Sequence, residues 1–315
     1  MLLVTLHGGD PEKDPHKNNV HAYDKDGEKL SSTVLENGDA VVLNELRSLR
    51  MSGRYLYVVN ANKDQSGILC YEGAGTNYKY VATFASTATC SAIVHPFDMA
   101  FDGLGYCYLS SQDTNVVTRF LASENGRDGR PAPIAAALPS SGKFLPGTFV
   151  ASSTGNLSRP PTTPVNPPAG LGYKGSTAEN PKKHSVRGLL WAEGHLYVAD
   201  QPSGAVKVFD ITGKYLGQSN AVDSPVQLVV HNHMLYVSSG NHVLRGKLFS
   251  PDAQFQLSPI AGLEVKDTSG MAFSSSGNFY VASRSRKTIF KFDPAFRPLK
   301  FHCEVPDAPE FLLHV

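Results

Sequence analysis

The chain has little of what marks a membrane, nucleic-acid or redox protein. No stretch of it approaches the run of about 18 apolar residues that a spanning helix needs. Lys plus Arg number 29 against 28 Asp plus Glu, a net charge of +1, which leaves no electrostatic footprint for a phosphate backbone or an anionic bilayer. The four cysteines, Cys70, Cys90, Cys107 and Cys303, show no C-x-x-C spacing, so zinc binding and dithiol chemistry are set aside and buried, reduced thiols are expected. No G-x-S-x-G elbow announces a serine nucleophile. Long segments with a helical period are missing too, which points to an all-β chain. Met1 to Gly9 lacks the basic flank and cleavage site of a leader, so cytoplasmic residence is the expectation. Secretion is the alternative if a longer precursor has lost a leader, and Asn156-Leu157-Ser158 is a glycosylation sequon that would suit it.

What the chain does have is a repeat. With 41% hydrophobic and 18% charged residues in 315, it can bury one large core. Five segments share a plan of an apolar run, a turn, an apolar-Tyr-apolar strand, a polar loop and a further alternating strand. Their anchors are Tyr57, Tyr108, Tyr197, Tyr236 and Tyr280, spaced by 51, 89, 39 and 44 residues. Four-stranded propeller blades take about 40–50 residues each, so the long gap reads as one blade plus an insertion. Val20 to Asp24, Val206 to Asp210 and Ile289 to Asp293 repeat the third strand with period-two alternation. A sixth blade is shared between the ends. Leu2 to Leu6 reads as a second strand lacking an inner neighbour, and Pro309 to Val315 has the pattern of an inner strand. Pairing them closes the ring and removes two open sheet edges.

The segment from His95 to Phe120 reads H-P-x-D-x-A-x-D-G-x-G-x-x-Y-x-S-S before Thr114 to Phe120. It resembles an NHL repeat, and the other blades are degenerate versions of it. The resemblance implies a six-bladed, all-β propeller of four-stranded blades over residues 1–315, broadly similar to the strictosidine-synthase-like, gluconolactonase-like and streptogramin-lyase propellers. A Pro-rich insertion at about 138–184 falls between blades 3 and 4, where it is expected to act as a lid or a tether. Such a fold is a prior for function and no more.

In such propellers the channel wall begins with the inner strands. This implies Glu310 and Asp98 as catalytic candidates and Arg187, Gln227, Arg47, His184, His7, Asn60 and Asp200 as substrate-binding ones. Glu310, beside Phe311 and Leu312, is expected to have its carboxyl pKa raised by desolvation. Arg187 would anchor an anionic or carbonyl oxygen, and Gln227 would orient the substrate. For Asp98 the competing reading is a residue that bonds backbone N–H groups, and for Asp200 a turn former.

This ring suits a small-molecule enzyme without a redox cofactor, expected to be a lyase, isomerase or cyclase that confines its substrate and assists with acid or base. The alternative is a calcium-dependent lactonase or esterase, with Glu310, Asn60, Asp98 and Asp200 as oxygen donors. The sequence lacks the P-N-G and S-P-D-G segments of the gluconolactonase-like calcium propellers, so no metal is expected. A third reading is an interaction scaffold using Arg284, Arg286, Lys287 and Lys291. A monomer with a small-molecule partner, and neither nucleic acid nor membrane, completes the expectation.

Overall fold

The computed structural model describes all residues except 39–40, 141, 152–169, 173–184 and 302. The expected lid lies largely outside the described residues, and His184 and the sequon at 156–158 wholly so.

The chain folds as a six-bladed β-propeller, with six sheets following one another around a ring, antiparallel except where Leu35–Glu36 pairs in parallel with Asn77–Ser86 at the outer edge of blade 2. Blade 1 runs Pro309–His314, Leu2–Leu6, His21–Tyr23 and Lys29–Ser31 from the channel outwards, so the C-terminal strand is its innermost member. Leu2 pairs with His314 and Leu3 with Leu313, and the N-terminal amine donates to the Val315 carbonyl at 2.8 Å. The inner strands of blades 2 to 6 are Leu46–Ser52, Pro96–Phe101, Val186–Ala192, Pro225–His231 and Thr268–Phe273. Among the described residues no helix is long and apolar enough to cross a membrane.

The repeat that was visible in sequence has a mechanical basis. The anchor tyrosines lie on the second strands and are buried between sheets; Tyr108, for one, stacks on Trp191 of the next blade with ring centroids 5.4 Å apart. The aspartates ending the third strands close the turns that follow. Asp24 Oδ1 accepts from the N–H of Asp26 and Glu28, Asp210 Oδ1 from Thr212 and Lys214, and Asp293 Oδ1 from Ala295 and Arg297. All four cysteines are free and buried.

Each inner strand carries a β-bulge near its start. In every blade three steps along the inner strand oppose two along its neighbour, as where Leu46 and Leu49 pair with Asn60 and Val58. One extra residue reverses the in-out alternation and leaves one backbone N–H without a ladder partner. Hydroxyls on the second strand supply that partner in three blades. Phe311 N donates to Thr5 Oγ1, Asp98 N to Ser110 Oγ and Gln227 N to Ser238 Oγ, all at 2.9–3.0 Å.

The root of the insertion is tied down. Thr148–Ala151 pairs with Val116–Ala122 in blade 3. Gly172 N donates to Asp200 Oδ2 at 2.8 Å, and the buried Lys207 donates to the Gly170 carbonyl at 2.7 Å while pairing with Asp200 at 2.9 Å.

Candidate functional site

The bulge sorts the start of each inner strand into two rings. Its second residues are Arg47, Phe97, Arg187, Val226, Ser269 and Glu310; its third residues are Ser48, Asp98, Gly188, Gln227, Gly270 and Phe311. The third ring mostly joins blades together. Asp98 Oδ2 accepts from Leu189 N of blade 4 at 2.9 Å, and Gln227 Oε1 accepts from Met271 N of blade 6. Gly270 lets blade 6 approach blade 1 so closely that a Cβ would stand 2.9 Å from Leu312 N.

Four of the expected site residues therefore go elsewhere. Asp98 is also bonded by Met99 N and by Arg50, which reaches it from the opposite channel mouth at 3.2 Å. Burial raises the Asp98 carboxyl, against the pull of Arg50 and its hydrogen bonds. Asn60 bonds the backbone of Asn44 and Val42. Asp200 holds Lys207, Ser203 and Gly172. Gln227 gives its Oε1 to Met271 N, while its buried Nε2 has no partner among the described residues. The structure ties these side chains to backbone groups and to Arg50, Lys207 and Ser203, apart from the polar cluster described next.

That cluster gathers His7, Arg47, Arg187 and Glu310 with residues that sequence reasoning passed over or assigned elsewhere. Glu310 is buried, and its Oε1 lies 3.0 Å from His7 Nδ1, 3.0 Å from an Arg284 terminal nitrogen and 3.6 Å from one of Arg47. Burial pushes the Glu310 carboxyl up, but Arg47, Arg284 and His7 outweigh it and hold it at about 2. The expectation of a raised pKa is thus overturned: the apolar neighbours Phe311 and Leu312 are real, yet three cationic or donor groups face the carboxylate. Arg284, grouped in sequence with an exposed basic patch, turns to Glu310.

Arg47 reaches Glu45 at 3.0 Å, and the same Glu45 carboxylate lies 3.4 Å from His95 Nε2. His95 Nδ1 is 3.6 Å from Asp113. Burial lowers the His95 imidazole, but the bonds from Asp113 and Glu45 prevail and leave it raised. Arg187 lies over the Phe97 ring at 5.0 Å and donates Nε to Gln201 Oε1 at 3.2 Å; Gln201 is held in turn by Ser224 Oγ at 2.6 Å. The floor is apolar. Phe97 and Phe311, both buried, meet edge to face at 5.3 Å, with Val226 packed against the same core.

Two signals could have revealed the missing members. Gln201 and Arg284 each follow directly on a second strand, as the expected His7 does. Glu45 and Ser224 stand at the entries to inner strands, as does His95, a histidine already noticeable in sequence for flanking an inner strand, and the three share φ values of +49° to +52°. Non-glycine residues seldom adopt that region, and they concentrate at functional sites.

Calcium does not fit the donors expected for it. Glu310 is matched by two arginines and a histidine, Asp200 by Lys207, Asp98 by Arg50 and two N–H groups, and Asn60 by backbone. A hard cation needs oxygens whose charge is not already neutralised.

No protein family and no curated protein matches this chain. Its fold is shared with several solved structures at low identity. One is the periplasmic gluconolactonase PpgL of Pseudomonas aeruginosa, with a TM-score of 0.56 and 15% identity, covering 99% of this chain and 98% of that one. A protein from Lactobacillus plantarum gives a TM-score of 0.60 at 13% identity over 96% of this chain and 82% of its own. A chain of a nidogen/laminin complex gives 0.59 at 12% over 99% and 96%. A gluconolactonase and a chain of a nidogen/laminin complex thus share this architecture.

Proposed function

We propose that this propeller is a small-molecule hydrolase acting on a lactone or a related ester at the mouth of its channel. The observation that carries the reading is the His7–Glu310 pair at 3.0 Å, with Arg47 and Arg284 on the same carboxylate. His7 Nδ1 lies between Glu310 Oε1 and an Arg47 terminal nitrogen at 3.1 Å; in the tautomer that donates Nδ1–H to the ionised carboxylate rather than accepting from Arg47, Nε2 is the basic nitrogen. The His7 side chain is 44% exposed, which gives the ring access to water.

The chemistry follows from those roles. His7 Nε2 takes a proton from water as its oxygen attacks the carbonyl carbon. The resulting oxyanion is stabilised by guanidinium N–H donors at the mouth. Collapse breaks the ring C–O bond, and the proton on His7 passes to the leaving alkoxide, giving the hydroxy acid. The likeness to a gluconolactonase supports this substrate class. The lyase, isomerase or cyclase expected from sequence drew its acid and base from Glu310 and Asp98; the first is held at about 2 and the second is enclosed in inter-blade bonds. The proposed steps draw on no divalent metal.

The test is hydrolysis of glucono-1,5-lactone and a panel of lactones and aryl esters, followed by proton release. Turnover of at least one substrate above the spontaneous rate, lost in His7→Asn, is the expected result. A folded protein inert towards the whole panel sinks the proposal.

A further inference from the structure

The mouth holds one guanidinium that no carboxylate answers. Arg47 faces Glu45 and Glu310, and Arg284 faces Glu310. Arg187 has no carboxylate within 4.0 Å among the described residues, and its side-chain hydrogen bond to them leaves from Nε. Both terminal amino groups of its fork are without a described partner. Arg284 Nε is buried and also lacks one. A buried donor is almost always satisfied, so the bare Arg284 Nε calls for a ligand or water, and the partly exposed Arg187 fork beside it is open to the same group.

The arrangement around Arg187 aims it without neutralising it. Phe97 supports the guanidinium plane from below, and the Gln201–Ser224 chain fixes Nε. Holding Nε in this way leaves the planar end free to meet two oxygens side by side, the geometry in which arginine binds carboxylate and phosphate. Its charge is also uncomfortable: burial, and then Arg47 and Arg284, bring the guanidinium down to about 10 against the opposing pull of Glu310. An anion at this point relieves that repulsion.

We infer that Arg187 and Arg284 form a receptor for a carboxylate or phosphate group on the ligand, so that the natural substrate is an anionic small molecule. Where it names a lactone, this rests on the hydrolase reading: the substrate is then the lactone of an acidic sugar or similar acid, seated by its charge on Arg187 and presented to His7.

Calorimetric titration with glucose, glucuronate and glucose 6-phosphate tests the receptor without any turnover. At least one of the two anions is expected to bind ten times or more tightly than glucose, and comparing them separates a carboxylate receptor from a phosphate receptor. Arg187→Gln should remove that preference at least tenfold, while Arg187→Lys, which keeps the charge and loses the fork, should recover only part of it. A thermal melt of each variant establishes that it is folded. Failure of both anions to outbind glucose overturns the inference, as does a preference unchanged in Arg187→Gln. Anion binding without hydrolysis of any lactone supports the receptor and removes the hydrolase. Hydrolysis of a neutral lactone with no anion preference does the reverse.

Discussion

His7 Nδ1 stands 3.0 Å from Glu310 Oε1, one residue at the end of the second strand of blade 1 and the other near the start of its inner strand. Closure of the ring therefore assembles the candidate site in the same step. The orientation of His7 depends on a carboxylate that stays ionised, and Arg47 and Arg284 keep it so. His7→Asn should lower kcat on any lactone that is turned over by roughly a hundredfold or more, the scale of a lost general base. The melting temperature should move little, because the His7 side chain is part-exposed.

Glu310→Gln tests the carboxylate separately. Its removal leaves the buried Arg47 short of one counter-charge and Arg284 without its carboxylate, a change that costs roughly 3 kcal/mol in comparable buried pairs. The variant should melt several degrees lower at pH 7. The pH dependence has a definite sign. A folded pKa of about 2 against an ordinary value near 4.5 means the stabilisation is full above the ordinary value and is lost as pH falls towards 2. Wild type and variant should therefore converge in thermal melts between pH 4.5 and 2. A constant gap across that window would contradict the ion-pair account.

His95 should show the opposite slope. Its pKa is raised by Asp113 and Glu45, so its contribution is full below the ordinary histidine value of 6.5 and disappears as pH rises through the folded value. Comparison of wild type with His95→Gln should give a difference in melting temperature at pH 6 that narrows by pH 8.5.

Asp98 is expected to matter for stability rather than turnover. Asp98→Ala strands the N–H groups of Met99 and Leu189 and the Arg50 guanidinium, which should cost about 3 kcal/mol by urea denaturation. Asp98→Asn should recover part of this, since one oxygen remains to accept. A neutral Asp98→Ala would mean that the tie between blades 3 and 4 is dispensable.

Chelation offers a check on the metal-free reading. An ion bound only by the folded state raises its melting temperature by mass action. A scan with and without EDTA should coincide, and so should lactone turnover. A drop of several degrees in EDTA would put the calcium alternative first.

The blades, their number and the closure by Pro309–His314 were legible from sequence because they rest on local rules. Period-two alternation, a tyrosine at one place in each second strand and an aspartate closing the turn after the third strand are all properties of neighbouring residues. Asp98 and Gln227 were misplaced by a single residue, because the bulge at the start of every inner strand shifts the register, and a bulge leaves no dependable mark in the pattern of apolar residues. Arg187 and Glu310, one position earlier in their blades, fell on the channel side of that shift. The state of Glu310 was beyond reach for another reason. Burial alone predicts a raised carboxyl; its sign was reversed by Arg47 from blade 2 and Arg284 from blade 6. Charges act through space, over a few ångströms, and only the closed ring decides which of them meet.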